Sequence, residues 1–300
     1  MSRSPISISR RALCGAVAAA TVLGLGTAGG ARATPLEAGK SRIQFDAWRG
    51  PPLTVWTYKP TVHGPALPAV FVMHGVERNG ETYRDQWAEL AEANGFLLLT
   101  PEFSEASFPK EFGYNFGNTR LPDGEAIPAE RWSFSAIEAI FEQVRKTEPA
   151  LESRYRLYGH SAGAQFVHRF LYYVPKARAE RVVAANAGWY TMPDWNTPFP
   201  YGLAGSDVGE AALRTMLSRQ VVIMLGEKDN DPNHRFLRRT AEANAQGAHR
   251  LERGRAFFDA AKAEAERLGV PFNWRLVTVP GVGHSNEKMA ASAVAPLLGR

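Results

Sequence analysis

Short, wholly apolar runs alternate with longer amphipathic ones from residue 43 to the end of the chain. Ala69-Val70-Phe71-Val72-Met73 is apolar at every position. A run this short, with no polar alternation, predicts a strand buried on both faces of a parallel sheet. Residues 96–99, 182–184 and 220–225 read the same way. Residues 43–58 predict earlier strands, interrupted by Pro51-Pro52. A helical period fills the spaces between. Over 83–93, Trp87, Leu90 and Ala91 share one face; over 134–144, Ile137, Ile140, Phe141 and Val144 form one stripe. Residues 250–268 predict a helix, 272–279 a strand and 290–298 a closing helix. Residues 103–130 are rich in Gly, Pro and aromatics without a period, and predict a long surface excursion. Strands alternating with helices imply an α/β fold: a mostly parallel central sheet with helices on both faces. Ligands of such sheets sit beyond the carboxyl ends of the strands.

The first 33 residues break this pattern. Arg3, Arg10 and Arg11 precede an apolar stretch from Cys14 to Thr27, too short to span a bilayer. Ala31-Arg32-Ala33 supplies a small-residue cleavage signal, and Ser9-Arg10-Arg11-Ala12-Leu13 resembles a twin-arginine export motif. Residues 1–33 are therefore expected to be an export signal read by export machinery, with residues 34–300 as one domain in the periplasm or medium. Gly24-Leu25-Gly26-Thr27-Ala28-Gly29 has a dinucleotide-loop spacing but follows no strand, so it carries no weight.

Removing that segment changes the charge. Arg3, Arg10, Arg11 and Arg32 leave with no acid, so the formal charge falls from +5 to +1. A basic nucleic-acid footprint is not expected, nor is membrane insertion past residue 33. Cys14 is the one cysteine, so residues 34–300 cannot form a disulfide.

The chemistry centres on Gly159-His160-Ser161-Ala162-Gly163. An apolar strand-like run precedes it and a small-residue helical run follows. A serine on a sharp strand-to-helix turn is a nucleophile elbow. Its hydroxyl needs a base, and that base needs an orienting acid; in this fold they follow in the order acid, then histidine. The strand ending at Leu225 runs into Gly226-Glu227-Lys228-Asp229. Asp229 stands just past the strand end, with Asp231 as the competitor and Glu227 as a weaker one. Pro280-Gly281-Val282-Gly283-His284 delivers a histidine after the last strand. His74-Gly75-Val76 ends the first long buried strand. The turn there and the residue after the nucleophile supply oxyanion donors in this fold, which points to the backbone N–H groups of Val76 and Ala162. His74 is expected to brace the loop.

These four segments resemble the α/β-hydrolase superfamily, and within it exported bacterial esterases related to polyhydroxybutyrate depolymerases. The resemblance covers roughly residues 45–298. It implies an α/β-hydrolase fold with a small loop-rich cap, and ester hydrolysis through an acyl-enzyme without metal or cofactor. It also implies that His284 takes the proton from Ser161, that Asp229 holds the imidazole, and that His284 then protonates the leaving alkoxide. Val76 stands where that group often has a cysteine. The substrate is expected to be a small or polymeric ester. A peptidase or acyltransferase of the same fold, or an inactive binding protein on this scaffold, are the alternatives.

Two aromatic segments are candidates for the substrate pocket. One contains Tyr114. The other, after the strand that follows the elbow, contains Trp189, Tyr190 and Trp195. Aromatics there suit an apolar acyl group; plain loop packing explains them equally.

Overall fold

Eight strands form one sheet in the order β1-β2-β4-β3-β5-β6-β7-β8. They are β1 (Gly39–Phe45), β2 (Leu53–Lys59), β3 (Leu67–Met73), β4 (Leu97–Glu102), β5 (Leu151–His160), β6 (Ala179–Ala185), β7 (Gln220–Gly226) and β8 (Trp274–Val279). The computed structural model describes residues 35–300. The expected export segment lies outside them. β1 and β2 pair antiparallel with each other and β2 pairs antiparallel with β4; every other pairing is parallel. Pro51-Pro52 falls in the turn between β1 and β2, where missing N–H groups cost no ladder bond.

The apolar runs are buried on both faces, as their pattern requires. Val70 and Val72 pack with Trp87 of α1 (Gly80–Asn94) and Met289 and Ala293 of α8 (Asn286–Leu298). Phe71 points the other way. There the core includes α3 (Ser133–Thr147), α4 (Ala162–Tyr173) and α7 (Arg250–Leu268), through Ile137, Phe141, Phe166, Phe170, Phe257 and Ala261. Adjacent positions of one strand thus feed two separate cores. Short helices α2 (Lys110–Gly113), α5 (Glu210–Leu217) and α6 (Ala241–Ala245) complete the chain order.

The structure departs from the expected elements at several edges. The closing helix begins at Asn286 rather than residue 290. Ser285 caps it, its side chain accepting from the Lys288 N–H, so four polar-rich residues join the first turn. α5 has no counterpart in the sequence reading; two turns burying Leu213, Met216 and Leu217 are too short to establish a period. The loop-rich stretch after β6 carries no α-helix before Glu210. Among the described residues, no helix is long and apolar enough to cross a membrane.

Candidate active site

Strand β5 ends at His160 and α4 starts at Ala162, which leaves Ser161 alone at the apex. Its backbone stands at φ 59° and ψ −117°, a conformation L-residues rarely hold. The Ser161 N–H donates to Ala185 O at 3.0 Å, tying the turn to the next strand. Two glycines make the turn possible. A Cβ on Gly159 would stand 2.2 Å from Gly163 O, and a Cβ on Gly163 would stand 2.1 Å from Met73 O. The helix can approach the sheet this closely only with hydrogen at both positions.

Three distant segments converge above the sheet. His284 Nε2 lies 3.0 Å from Ser161 Oγ, and His284 Nδ1 lies 2.7 Å from Asp229 Oδ2. Both are hydrogen-bond distances. Asp229 is 4% exposed, so this carboxylate has left bulk water. Asp231 is exposed and accepts from the Asn233 N–H, while Glu227 Oε2 accepts from the Gly281 N–H. The structure therefore brings Asp229, and neither competitor, to the imidazole.

Two neighbours of this chain gave no sequence signal. Arg250 opens α7 and donates from Nη1 to Asp229 Oδ1 at 3.2 Å. Its Nη2 lies 3.2 Å from His234 Nδ1. The His234 ring stands 5.2 Å from that of His284. Burial, then the Arg250 cation, hold His234 below its ordinary pKa. The His160 ring stands 4.6 Å from His284 on another side. Burial and its neighbour His284 hold His160 well below its ordinary value, so it stays neutral. Arg250 lies beyond the motifs in sequence, and although His234 follows Asp229 closely, only the fold shows that its ring stands beside His284.

His74 braces the loop after β3. It is fully buried, its Nε2 accepts from the Phe103 N–H at 3.0 Å, and its Nδ1 lies 3.0 Å from Gly75 O. Burial lowers its pKa to about 3, and a neutral ring is what an accepting Nε2 requires. Val76 follows this braced turn, half-exposed at the mouth of the site. Ala162 heads α4, where its N–H has no intrahelical acceptor.

Two chambers flank Ser161. One, of about 310 Å³, is walled by His160, His284 and Asn286. The other, of about 370 Å³, is walled by Ala162, Gln165, Trp189 and Arg238. Trp189 is held from both neighbours: the guanidinium of Arg169 lies 4.3 Å and that of Arg238 5.0 Å from its ring centroid. Arg169 is fully buried, with no carboxylate partner among the described residues, and burial lowers its pKa to about 9.

The other aromatic candidates do not join Trp189 on the wall. Tyr114 is fully buried, stacked 4.6 Å from His74, with its hydroxyl donating to His74 O. It supports the loop from beneath. Tyr190 is also fully buried and stacks 4.4 Å from Phe257, inside the core under α7. Trp195 is 38% exposed on the outer surface of its loop. A tight turn explains why: the Leu203 N–H donates to Asp194 O and the Met192 N–H to Tyr201 O, which folds the segment back on itself.

No protein-family model and no curated protein matches the sequence. Solved structures do. Poly(aspartic acid) hydrolase-1 from Sphingomonas sp. KT-1 is similar at 42% identity and a TM-score of 0.86, over 88% of this chain and 100% of that one. LpqC, a poly(3-hydroxybutyrate) depolymerase from Bordetella parapertussis, is similar at 34% identity and a TM-score of 0.80, over 88% of this chain and 92% of that one. S-formylglutathione hydrolase FrmB from Staphylococcus aureus shares the fold at 13% identity and a TM-score of 0.53, over 87% of this chain and 99% of that one. The chain belongs to the α/β-hydrolase superfamily, among the carboxylic-ester hydrolases that resemble polyhydroxybutyrate depolymerases.

Proposed function

We propose that the chain cleaves carboxylic esters in two steps through an acyl-enzyme. His284 Nε2 takes the proton as Ser161 Oγ attacks the ester carbonyl. Asp229 holds the Nδ1–H and stabilises the imidazolium. His284 then protonates the departing alkoxide, and water repeats the sequence to release the acid. The N–H groups of Val76 and Ala162 receive the oxygen that becomes negative; one such donor contributes roughly 3 kcal/mol to barrier lowering. The observation that carries this reading is the unbroken chain Ser161 Oγ, His284 Nε2, His284 Nδ1, Asp229 Oδ2, with links of 3.0 and 2.7 Å. A fluorophosphonate probe tests it. It labels the folded wild type and not Ser161→Ala; an unlabelled wild type would sink the reading.

A second reading is favoured by the chamber beside Trp189. Arg78, Lys110, Arg235, Arg238 and Arg250 line it with Glu105 and Glu111; Arg78 pairs with Glu105, Arg238 with Glu111 and Arg250 with Asp229, which leaves Lys110 and the exposed Arg235 as its basic excess. A basic acyl chamber suits acyl groups that carry carboxylates. Poly(aspartic acid), on which one structural relative acts, is such a chain. Release of amine ends from the amide bonds of poly(aspartic acid) and of hydroxy acid from the ester bonds of poly(3-hydroxybutyrate), measured side by side, decides between anionic and neutral polymers.

The protein is further proposed to act outside the cytoplasm, carried by residues 1–33 through twin-arginine export. The support is Arg10-Arg11 ahead of the apolar stretch. Replacing both by lysine should retain the protein inside the cell, and unchanged export would discard the route.

A further inference from the structure

We propose that Gln165 is a specificity-determining residue: its side-chain amide donates to an oxygen within the acyl chain, so the chamber beside Trp189 selects oxygen-bearing acyl groups over plain alkyl ones. This rests on the ester-hydrolase reading. The leaving oxygen must reach His284 Nε2 to be protonated, so the alcohol lies in the chamber that His284 walls. The acyl group then falls on the other side of Ser161, in the chamber of about 370 Å³ that Ala162, Gln165 and Gly188 line.

Gln165 follows Ser161 by one turn of α4, its N–H donating to Ser161 O at 3.1 Å. Helical side chains lean toward the N-terminus, which tilts this amide toward the nucleophile. The residue is 8% exposed. Its Oε1 is taken: Asn115 Nδ2 donates to it at 2.9 Å and Arg169 Nη1 at 3.4 Å. Its Nε2 has no partner among the described residues, yet it keeps accessible surface in a residue that lines the chamber. Polar groups set this deep are almost always paired, so a bare N–H₂ that a ligand can reach points to a ligand that pairs it.

The orientation of this amide is fixed by charge. A guanidinium only donates, so the Gln165 atom that faces Arg169 must be the oxygen. Asn115 must in turn offer its N–H₂ to that oxygen. Arg169 is itself held, with Nε donating to Thr191 Oγ1 at 2.8 Å and Nη1 to Asn115 O at 3.2 Å. The buried cation thus sets the polarity of Gln165: a donor, not an acceptor, is left for the acyl chain. Gly188 keeps the approach open. A Cβ there would stand 3.0 Å from Gln165 Nε2, so a larger residue would crowd the donor. An acyl chain with an ether or carbonyl oxygen pairs the N–H₂. An alkyl chain of equal length displaces water from it and offers nothing in return.

The test uses the full chain and p-nitrophenyl esters in matched pairs: 3-methoxypropionate against pentanoate, and 4-methoxybutyrate against hexanoate. Each pair differs by one oxygen in place of a methylene. The leaving group is shared and every acyl group is neutral, so neither the alcohol side nor the charges of Lys110 and Arg235 enter the ratio of kcat/KM values. Dividing by the same ratio for alkaline hydrolysis removes intrinsic reactivity. The wild-type quotient is expected to reach about 3 to 10 for at least one pair, the range of one hydrogen bond. Gln165→Met keeps the length without the donor, and Gln165→Glu keeps the shape; each brings the quotient to one or below. The folded fraction cancels in a ratio from one preparation, so a variant that folds poorly still reports. A wild-type quotient near one for both pairs, or a quotient that survives in either variant, overturns the proposal. Turnover of p-nitrophenyl pentanoate reports separately on ester hydrolysis. Its absence removes the underlying reading, and its presence with a quotient near one removes only the role of Gln165.

Discussion

Arg250 and Asp229 form an ion pair sealed from water, at 3.2 Å with side chains 2% and 3% exposed. The carboxylate that faces His284 through one oxygen is therefore gripped by a guanidinium through the other. Asp229 cannot rotate without breaking one of two charge-assisted bonds. Arg250→Met is expected to lower kcat at least about 10-fold and stability by about 3–5 kcal/mol, since it strands a buried carboxylate. Thermal melts and steady-state rates check both. A variant with wild-type kcat and melting temperature would remove Arg250 from the supporting structure of the site.

The two nearby aspartates separate cleanly. Asp229→Asn is expected to cut kcat by about 10³- to 10⁴-fold, because the amide cannot hold the imidazole tautomer that lets Nε2 accept a proton. Asp231→Asn, at an exposed turn, should stay within about 2-fold. Ester hydrolysis at saturating substrate measures both. The reverse order would transfer the acid role to Asp231.

Gly163→Ala places a methyl 2.1 Å from a backbone oxygen that cannot move aside. The helix must shift or the turn must open. The expected result is loss of at least about 100-fold in kcat, since small misplacements at the nucleophile are costly. Near-normal activity in a soluble, folded variant would show that the elbow tolerates more room than its contacts indicate.

Acid should unfold the protein through its histidines. His74, His160 and His168 are all buried and held below their ordinary pKa by burial. Each is neutral when folded and takes up a proton on unfolding once the pH drops below about 6.5. Stability is therefore full above that pH and falls as the pH drops further, toward the lower folded value near 3 in the case of His74. Each such residue contributes a slope of roughly 1.4 kcal/mol per pH unit. Denaturant melts from pH 7 to 4.5 should show a steep decline that His74→Asn makes shallower. A flat profile would mean these rings are not buried neutral.

The sheet was legible because apolar runs such as residues 69–73 and 220–225 allow few other fates. Ser161 and His284 were legible because each follows a predicted strand through a glycine-bearing turn. Asp229 was preferred over Asp231 because it stands just past the strand end, and the 2.7 Å contact with His284 Nδ1 falls on Asp229. For Tyr114 and Tyr190 the sequence left pocket wall and plain packing equally open, and the structure buries both. Composition marks an aromatic loop, but whether a ring faces a chamber or a core depends on partners such as His74 and Phe257, which are distant in sequence. Arg250 left no local mark, and His234, though close after Asp229, could not be told from a surface histidine.

The backbone angles at residue 161 carry one more implication. A glycine accepts φ 59° and ψ −117° with ease, whereas serine is strained there. Ser161→Gly should thus raise the melting temperature while abolishing turnover, so selection for robustness alone would erase the reactive alcohol. On the proposed mechanism, catalysis rather than folding governs the choice of side chain at this turn.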